Sequence, residues 1–312
     1  MHKSIFRKPI HYRELIIAAC IAITMIILGS FFDKNVSQYL YADEKSPYLS
    51  IIVSGIAEMP TYLSLVFIGC LLIFCNIAVK KSTKWFIYIF ALCVIAFGAY
   101  FTVSTAKNIY LIAGETGKLK LAVILTASIA TFCLTGYFAF LAHKISVDPN
   151  FDNLYIFKCA LAIFSIIVLQ LIIVNVIKFS ASRPRPYLVF DDQSKIAFKN
   201  WYQWNFLYSL KNGEPYLSMP SAHTATASTF AAILPIYFLM SNRCKNSRKL
   251  QVGGFYIGLT WGLLTAYARI CCGAHFLSDT GWGLLLSVIS IVIVLCVIDI
   301  HLLREKNYEK AK

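Results

Sequence analysis

The chain has 312 residues, of which 58% are hydrophobic and only 14% charged, with a mean hydropathy of +0.67 and a formal net charge of +14. That balance excludes an ordinary soluble globular domain, and the repeated apolar runs, each roughly 17 to 25 residues long, match the length at which an α-helix crosses hydrocarbon. The short alternating strands of a transmembrane β-barrel are not visible, so the expected fold is an all-α, polytopic transmembrane helix bundle.

In chain order the apolar runs cover roughly Leu15 to Phe32, Tyr62 to Val79, Trp85 to Ser104, Leu121 to Leu141, Tyr155 to Ile177, Ala222 to Met240, Val252 to Ile270 and Thr280 to Leu302. This is a count of about eight spans, with six or seven as the alternative. The span from Tyr62 is the weakest, because Glu58 and Pro60 precede it and the stretch from Tyr41 to Ile56 is able to lie along the interface. The chain reads as one domain: an N-terminal arm with two accessory helices over residues 1–84, a core over 85–302 and a tail over 303–312.

Lysine and arginine placement sets the expected orientation, since short loops rich in these residues stay in the cytoplasm. One side receives Lys3, Arg7, Lys8 and Arg13, then Lys80, Lys81 and Lys84, then Lys144, then Arg243, Lys245, Arg248 and Lys249, and finally Arg304, Lys306, Lys310 and Lys312. The other side collects Lys34, Lys45, Lys107, Lys118 and Lys120. Both termini are therefore expected inside, in the inner (plasma) membrane of a bacterium. The cations are spread among membrane-flanking loops, so membrane lipids are the expected anionic contact and a nucleic-acid partner is not. No protein partner can be inferred. The first apolar run is long and lacks a small-residue cleavage site after Phe32, so it reads as an anchor. Of the ten cysteines, Cys20, Cys70, Cys75, Cys93, Cys133, Cys159 and Cys296 fall within apolar helices as small hydrophobes, and no spacing suits a structural metal.

Three short islands at the rims of these spans carry the chemistry, and the eight-span count puts all three on the outer face. In the first, Lys178 closes a span and Ser182-Arg183-Pro184-Arg185-Pro186 breaks the helix, because proline lacks an N–H and restricts its predecessor. The second, Ser218-Met219-Pro220-Ser221-Ala222-His223-Thr224, opens a helix whose free N–H groups and positive dipole end favour a phosphate. In the third, Arg269 ends one span and His275 and Asp279 begin the next. Their i, i+4 spacing is expected to put both on one helical face, with the carboxylate accepting from one imidazole nitrogen and leaving the other free to attack. Taken singly, each island also has a plain reading: a snorkelling lysine with a basic headgroup loop, a serine cap with an interfacial histidine, and a cap with a water-facing side chain.

Together, Lys178-x6-Arg185-Pro186, Pro220-Ser221-Ala222-His223 and Arg269-x5-His275-x3-Asp279 resemble, in order and spacing, the three-part signature of the type 2 phosphatidic acid phosphatase superfamily. This is the membrane branch of a fold shared with vanadium haloperoxidases. The resemblance covers roughly residues 85 to 302 and implies a six-helix phosphatase core. It departs at Ala222, where the family usually has glycine, and at Ala268, where it usually has serine.

What the resemblance implies is metal-independent, cofactor-free hydrolysis of a lipid phosphate. His275 would be the nucleophile, His223 the acid that protonates the leaving group, and Asp279 the residue that orients His275. Lys178, Arg185, Ser221, Ala222 and Arg269 would bind the phosphate. Arg183 falls outside the matched positions and reads as a loop or headgroup contact. Phosphatidate, phosphatidylglycerol phosphate, undecaprenyl diphosphate and lipid A are equally compatible substrates, and transfer to a second lipid instead of water is an open alternative. A transporter or binding protein without chemistry would need neither nucleophile nor acid. The loop from Tyr187 to Met219 contains Phe190, Trp201, Tyr202, Trp204, Phe206, Tyr208 and Tyr216 interleaved with Lys195, Lys199 and Lys211. It reads as an interfacial aromatic belt or as a partial lid.

Overall fold

The computed structural model describes residues 10–41, 48–75, 80–113, 118–148, 153–240 and 247–298. Lys3, Arg7, Lys8, Lys45, Val79, Arg243, Lys245 and the expected tail lie outside the described residues. Those described form a polytopic helical bundle, without strands. The long helices are α1 (Tyr12–Leu40), α3 (Met59–Phe74), α4 (Lys81–Ala113), α5 (Lys118–Ser146) and α6 (Asn153–Ala181), then α9 (Ala222–Met240), α10 (Ser247–Cys271) and α11 (Leu277–Val297). Short helices α2 (Tyr48–Ile56), α7 (Pro186–Val189) and α8 (Ser209–Asn212) lie between them.

These eight long helices fall on the eight expected spans, and among the described residues seven segments are long and apolar enough to cross a bilayer. α10 matches them in length but not in apolarity. Two boundaries differ from expectation. α2 leads almost directly into α3, so Leu49–Phe74 forms a single apolar segment of 26 residues and not an interfacial stretch followed by a span. α1 continues past Phe32 to Leu40, which places Asp33 inside a helix, where it is buried.

The bundle is apolar outside and partly polar inside, the arrangement a lipid solvent favours. Phe31, Phe86, Tyr100 and Phe132 face outward, whereas Thr61, Gln170, Thr226, Thr229, Ser287 and Ser290 are buried. Leu65, Ile68 and Leu71 of α3, Ile163, Ile166 and Ile167 of α6, and Ile233 and Ile236 of α9 form the apolar core. Because hydrocarbon outside the bundle competes with this packing, close contacts and interhelical hydrogen bonds hold the helices together, each bond contributing roughly 0.6 kcal/mol. Thr61 Oγ1 donates to the Thr226 carbonyl at 2.8 Å, and Trp261 Nε1 to the Ala57 carbonyl at 2.8 Å. Two glycines allow backbones to approach at the end that carries the islands. A Cβ at Gly29 would fall 2.7 Å from Ser278 Cβ, and one at Gly283 would fall 2.5 Å from the Ser221 carbonyl oxygen.

Successive long helices run antiparallel. The C-terminal ends of α6 and α10 and the N-terminal ends of α9 and α11 therefore meet at one end of the bundle. At the other end Arg248, near the start of α10, pairs with Glu14, near the start of α1, at 2.9 Å.

Candidate active site

Each island is placed by the way its helix starts or stops. α6 ends at Ala181, where Ser182 takes a left-handed conformation (φ 44°) and its N–H donates to the Lys178 carbonyl at 3.1 Å. This turns Arg183-Pro184-Arg185-Pro186 back across the bundle end, as the prolines predict. Lys178, one turn before the break, is buried. Arg185 is held by an ion pair with Glu214 and donates through Nε to the Glu214 carbonyl at 3.3 Å.

Ser221 caps α9: its hydroxyl oxygen accepts from the Thr224 N–H at 3.4 Å and from the Thr224 hydroxyl at 3.0 Å. Its own N–H donates to the Asp279 carbonyl at 3.0 Å, which ties the start of α9 to the first turn of α11. Ala222 is the first helical residue, a conformation any L-residue adopts, and its methyl packs toward the Val174, Ala225 and Leu286 cluster. The usual glycine is therefore not needed there for conformational reasons. Ala268 is buried in α10 immediately before Arg269.

His275 is wholly buried and lies in the turn between α10 and α11. The expected His275–Asp279 contact does not form. α11 begins only at Leu277, so His275 precedes the helix and the i, i+4 geometry does not apply. His275 Nδ1 instead lies 2.5 Å from the Ser218 carbonyl oxygen. A carbonyl can only accept, so Nδ1 carries a proton, and in the neutral ring Nε2 keeps its lone pair. Nε2 is buried without a protein hydrogen-bond partner, as are His223 Nε2 and Arg269 Nε. Burial first, then the charges of Arg185, Arg269 and Lys178 and the neighbouring His223, push the basicity of His275 well below the ordinary histidine range.

Asp279 acts one step behind this ring. Its Oδ2 accepts from the Ser218 hydroxyl at 2.6 Å and from the Phe276 N–H at 2.9 Å, and its Oδ1 lies 2.5 Å from Arg183 Nη1. It thus fixes the residue whose carbonyl orients His275, and it caps α11 as it does so. Arg183, expected to contact headgroups, is among the most buried side chains of the protein. Nη2 reaches Asp33 Oδ2 at 2.9 Å, Nη1 also reaches Ser278 Oγ at 2.9 Å, and Nε donates to the Lys199 carbonyl at 2.9 Å. Its guanidinium lies over the Phe276 ring, 4.2 Å from the centroid. Asp33 completes the network by accepting from the Ser278 N–H at 2.8 Å and from the Ser278 hydroxyl.

Asp33, Glu58, Arg183 and Ser218 do not stand out as functional residues in the sequence. Asp33 carried a usable signal, since a carboxylate adjoining a long apolar run must find a partner. That signal is masked where the apolar run stops at Phe32, one residue before it. Glu58, between α2 and α3, is buried, with Oε2 4.0 Å from His223 Nε2. The aromatic loop divides. Phe198 packs on Phe276, Trp201 packs on Trp282 and donates to Ser30 Oγ at 2.8 Å, while Tyr202, Trp204, Phe206 and Tyr208 remain exposed.

A ring of two imidazoles and three cations at a helix N-terminus, braced by a buried carboxylate, suits a tetrahedral oxyanion. Residues 159–301 match the family model of the PAP2 superfamily. This segment is similar to that superfamily. It is the type 2 phosphatidic acid phosphatase superfamily that the three islands resemble. Its members are generally phosphatases, which supports a phosphoric ester hydrolase activity for this chain. The match begins within α6, so α1 to α5, with Asp33 and Glu58, lie outside it. Neither a curated protein nor a solved structure gives a significant match.

Proposed function

We infer that the protein is a membrane lipid phosphatase that hydrolyses a lipid phosphomonoester or diphosphate through a phosphohistidine intermediate. The observation that carries this reading is the tautomer of His275: Nδ1 is bound to the Ser218 carbonyl, and Nε2 is left with a free lone pair among Lys178, Arg185 and Arg269. His275 Nε2 attacks phosphorus. His223 gives its proton to the departing oxygen, and water then cleaves the P–N bond. The cations and the first N–H groups of α9 hold the equatorial oxygens, so catalysis rests on positioning and charge.

A lipid substrate is supported by the apolar exterior of the bundle and by a cleft of about 660 Å³ between α3, α5 and α9, lined by Leu63, Phe67, Phe138, Leu141, Phe230 and Phe238. Pro60, two residues from Glu58, also lines it. The distribution of lysine and arginine supports cytoplasmic termini and a site facing the outside.

The test is a panel of radiolabelled lipid phosphates presented to detergent-purified protein, with and without candidate acceptor lipids. Free phosphate is expected from at least one lipid, undiminished by excess chelator. Label passing only to acceptor lipid would show a phosphotransferase, and strict magnesium dependence would refute the mechanism.

The lowered basicity of His275 also has a sign that can be measured. A base whose pKa is depressed keeps its lone pair as the pH falls, so the rate of phosphoenzyme formation in a single turnover should not drop as the pH is lowered through the ordinary histidine range, about 6.5. A loss of that rate centred on the ordinary value would show that the nucleophile is not the shielded imidazole described above.

A further inference from the structure

Glu58 lies outside the family segment, yet its carboxylate reaches the candidate acid His223. The Oε2–Nε2 distance of 4.0 Å is too long for a hydrogen bond and suits a single oxygen bonded to both groups. The position is built rather than incidental. Ala57 is held to α10 by the Trp261 bond and Thr61 to α9 by its bond to Thr226, so both flanks of Glu58 are tied down. The other charged or titratable groups facing His223 are Lys178 of α6, Arg185 of the following loop, Arg269 of α10 and His275. A carboxylate in such a ring repels an incoming phosphate, so a pocket made only for binding would be better without it. Its placement beside an otherwise unpartnered imidazole nitrogen points instead to a proton-transfer step.

We propose that Glu58 is a positioning residue that, with His223, holds the water that hydrolyses the phosphoenzyme. This rests on the phosphatase reading above. After the first displacement His223 is neutral, having given its proton to the leaving oxygen. A water between the two groups then donates one hydrogen to His223 Nε2 and the other to the Glu58 carboxylate, which aims its lone pair at phosphorus. As the O–P bond forms, the P–N bond to His275 breaks, its electron pair returns to Nε2, and the water proton passes to His223. Phosphate leaves, and the enzyme is restored with His223 protonated. Glu58 thereby favours water over an acceptor lipid in the second half-reaction.

The experiment uses the full chain in detergent with ³²P-labelled dioctanoyl phosphatidate and p-nitrophenyl phosphate as probes. Samples are quenched in alkaline detergent, which preserves phosphohistidine. In Glu58→Gln, turnover should fall about 10²-fold, while the single-turnover rate of protein labelling stays near the wild-type value. Labelled protein then accumulates and leaving-group release shows a burst. A buried counter-ion with no part in the second step would slow both half-reactions alike, and that result, or unchanged turnover, overturns the proposal. Should Glu58→Gln fail to fold, Glu58→Asp keeps the charge but shortens the arm. It should show the same accumulation at smaller amplitude, and equal slowing or no change there also overturns it. The phosphatase reading is judged separately in the same assay: it fails if wild-type protein takes up no label, or if His275→Ala takes up as much.

Discussion

His275→Ala should lower phosphate release from any lipid phosphate by about 10⁴-fold or more, because it removes the imidazole whose Nε2 is left to attack once Nδ1 is bonded to the Ser218 carbonyl. The cations and the α9 N-terminus remain in the variant, so an oxyanion should still bind. The loss should therefore appear in kcat and much less in the affinity for a competing anion such as vanadate. Truncation also removes the Nδ1 bond to the Ser218 carbonyl and leaves that acceptor buried, at a cost of about 1–3 kcal/mol in stability. A thermal melt in detergent separates that loss from the chemical one. The decisive measurement is the alkali-stable label on the protein: present in the wild type, absent from His275→Ala. A variant that retains turnover would remove His275 as nucleophile.

Arg183→Ala should be the most destabilising single change near the site. Arg183 is buried between Asp33 and Asp279, both also buried, and its loss would strand two carboxylates facing each other without a cation. Breaking such a buried pair from one side costs about 3–5 kcal/mol. Arg183→Lys should recover little, since a single ammonium cannot reach Asp33, Asp279, Ser278 and the Lys199 carbonyl together as the planar fork does. Denaturant titration in mixed micelles measures the loss of stability. Activity should fall with it, because Asp279 then loses its hold on Ser218, and Ser218 its hold on His275. A stability change under about 1 kcal/mol would mean that the network holds little of the fold.

The division between legible and hidden features follows from the range of the interactions. The long spans were legible because bilayer thickness imposes a length on any apolar run. The islands were legible because each lies within a few residues of a helix end, where proline, serine and glycine act locally. Arg183 was misread because its loop position is local, whereas its partners Asp33 and Asp279 come from 150 and 96 residues away. The His275–Asp279 relay failed for a one-turn reason: spacing measures a helical face only inside a helix, and α11 starts two residues too late.

The amino-acid sequence alone determined that this is a helical membrane protein with cations and imidazoles gathered at helix ends, because hydrophobic length and helix-terminal chemistry are local properties. The tertiary structure decided which groups meet. Glu58 came to His223, the Ser218 carbonyl accepted a hydrogen bond from His275 Nδ1, and Asp33 came through α1 to close the charge on Arg183. Contacts between buried polar groups depend on which helices lie side by side, and no spacing along the chain encodes that.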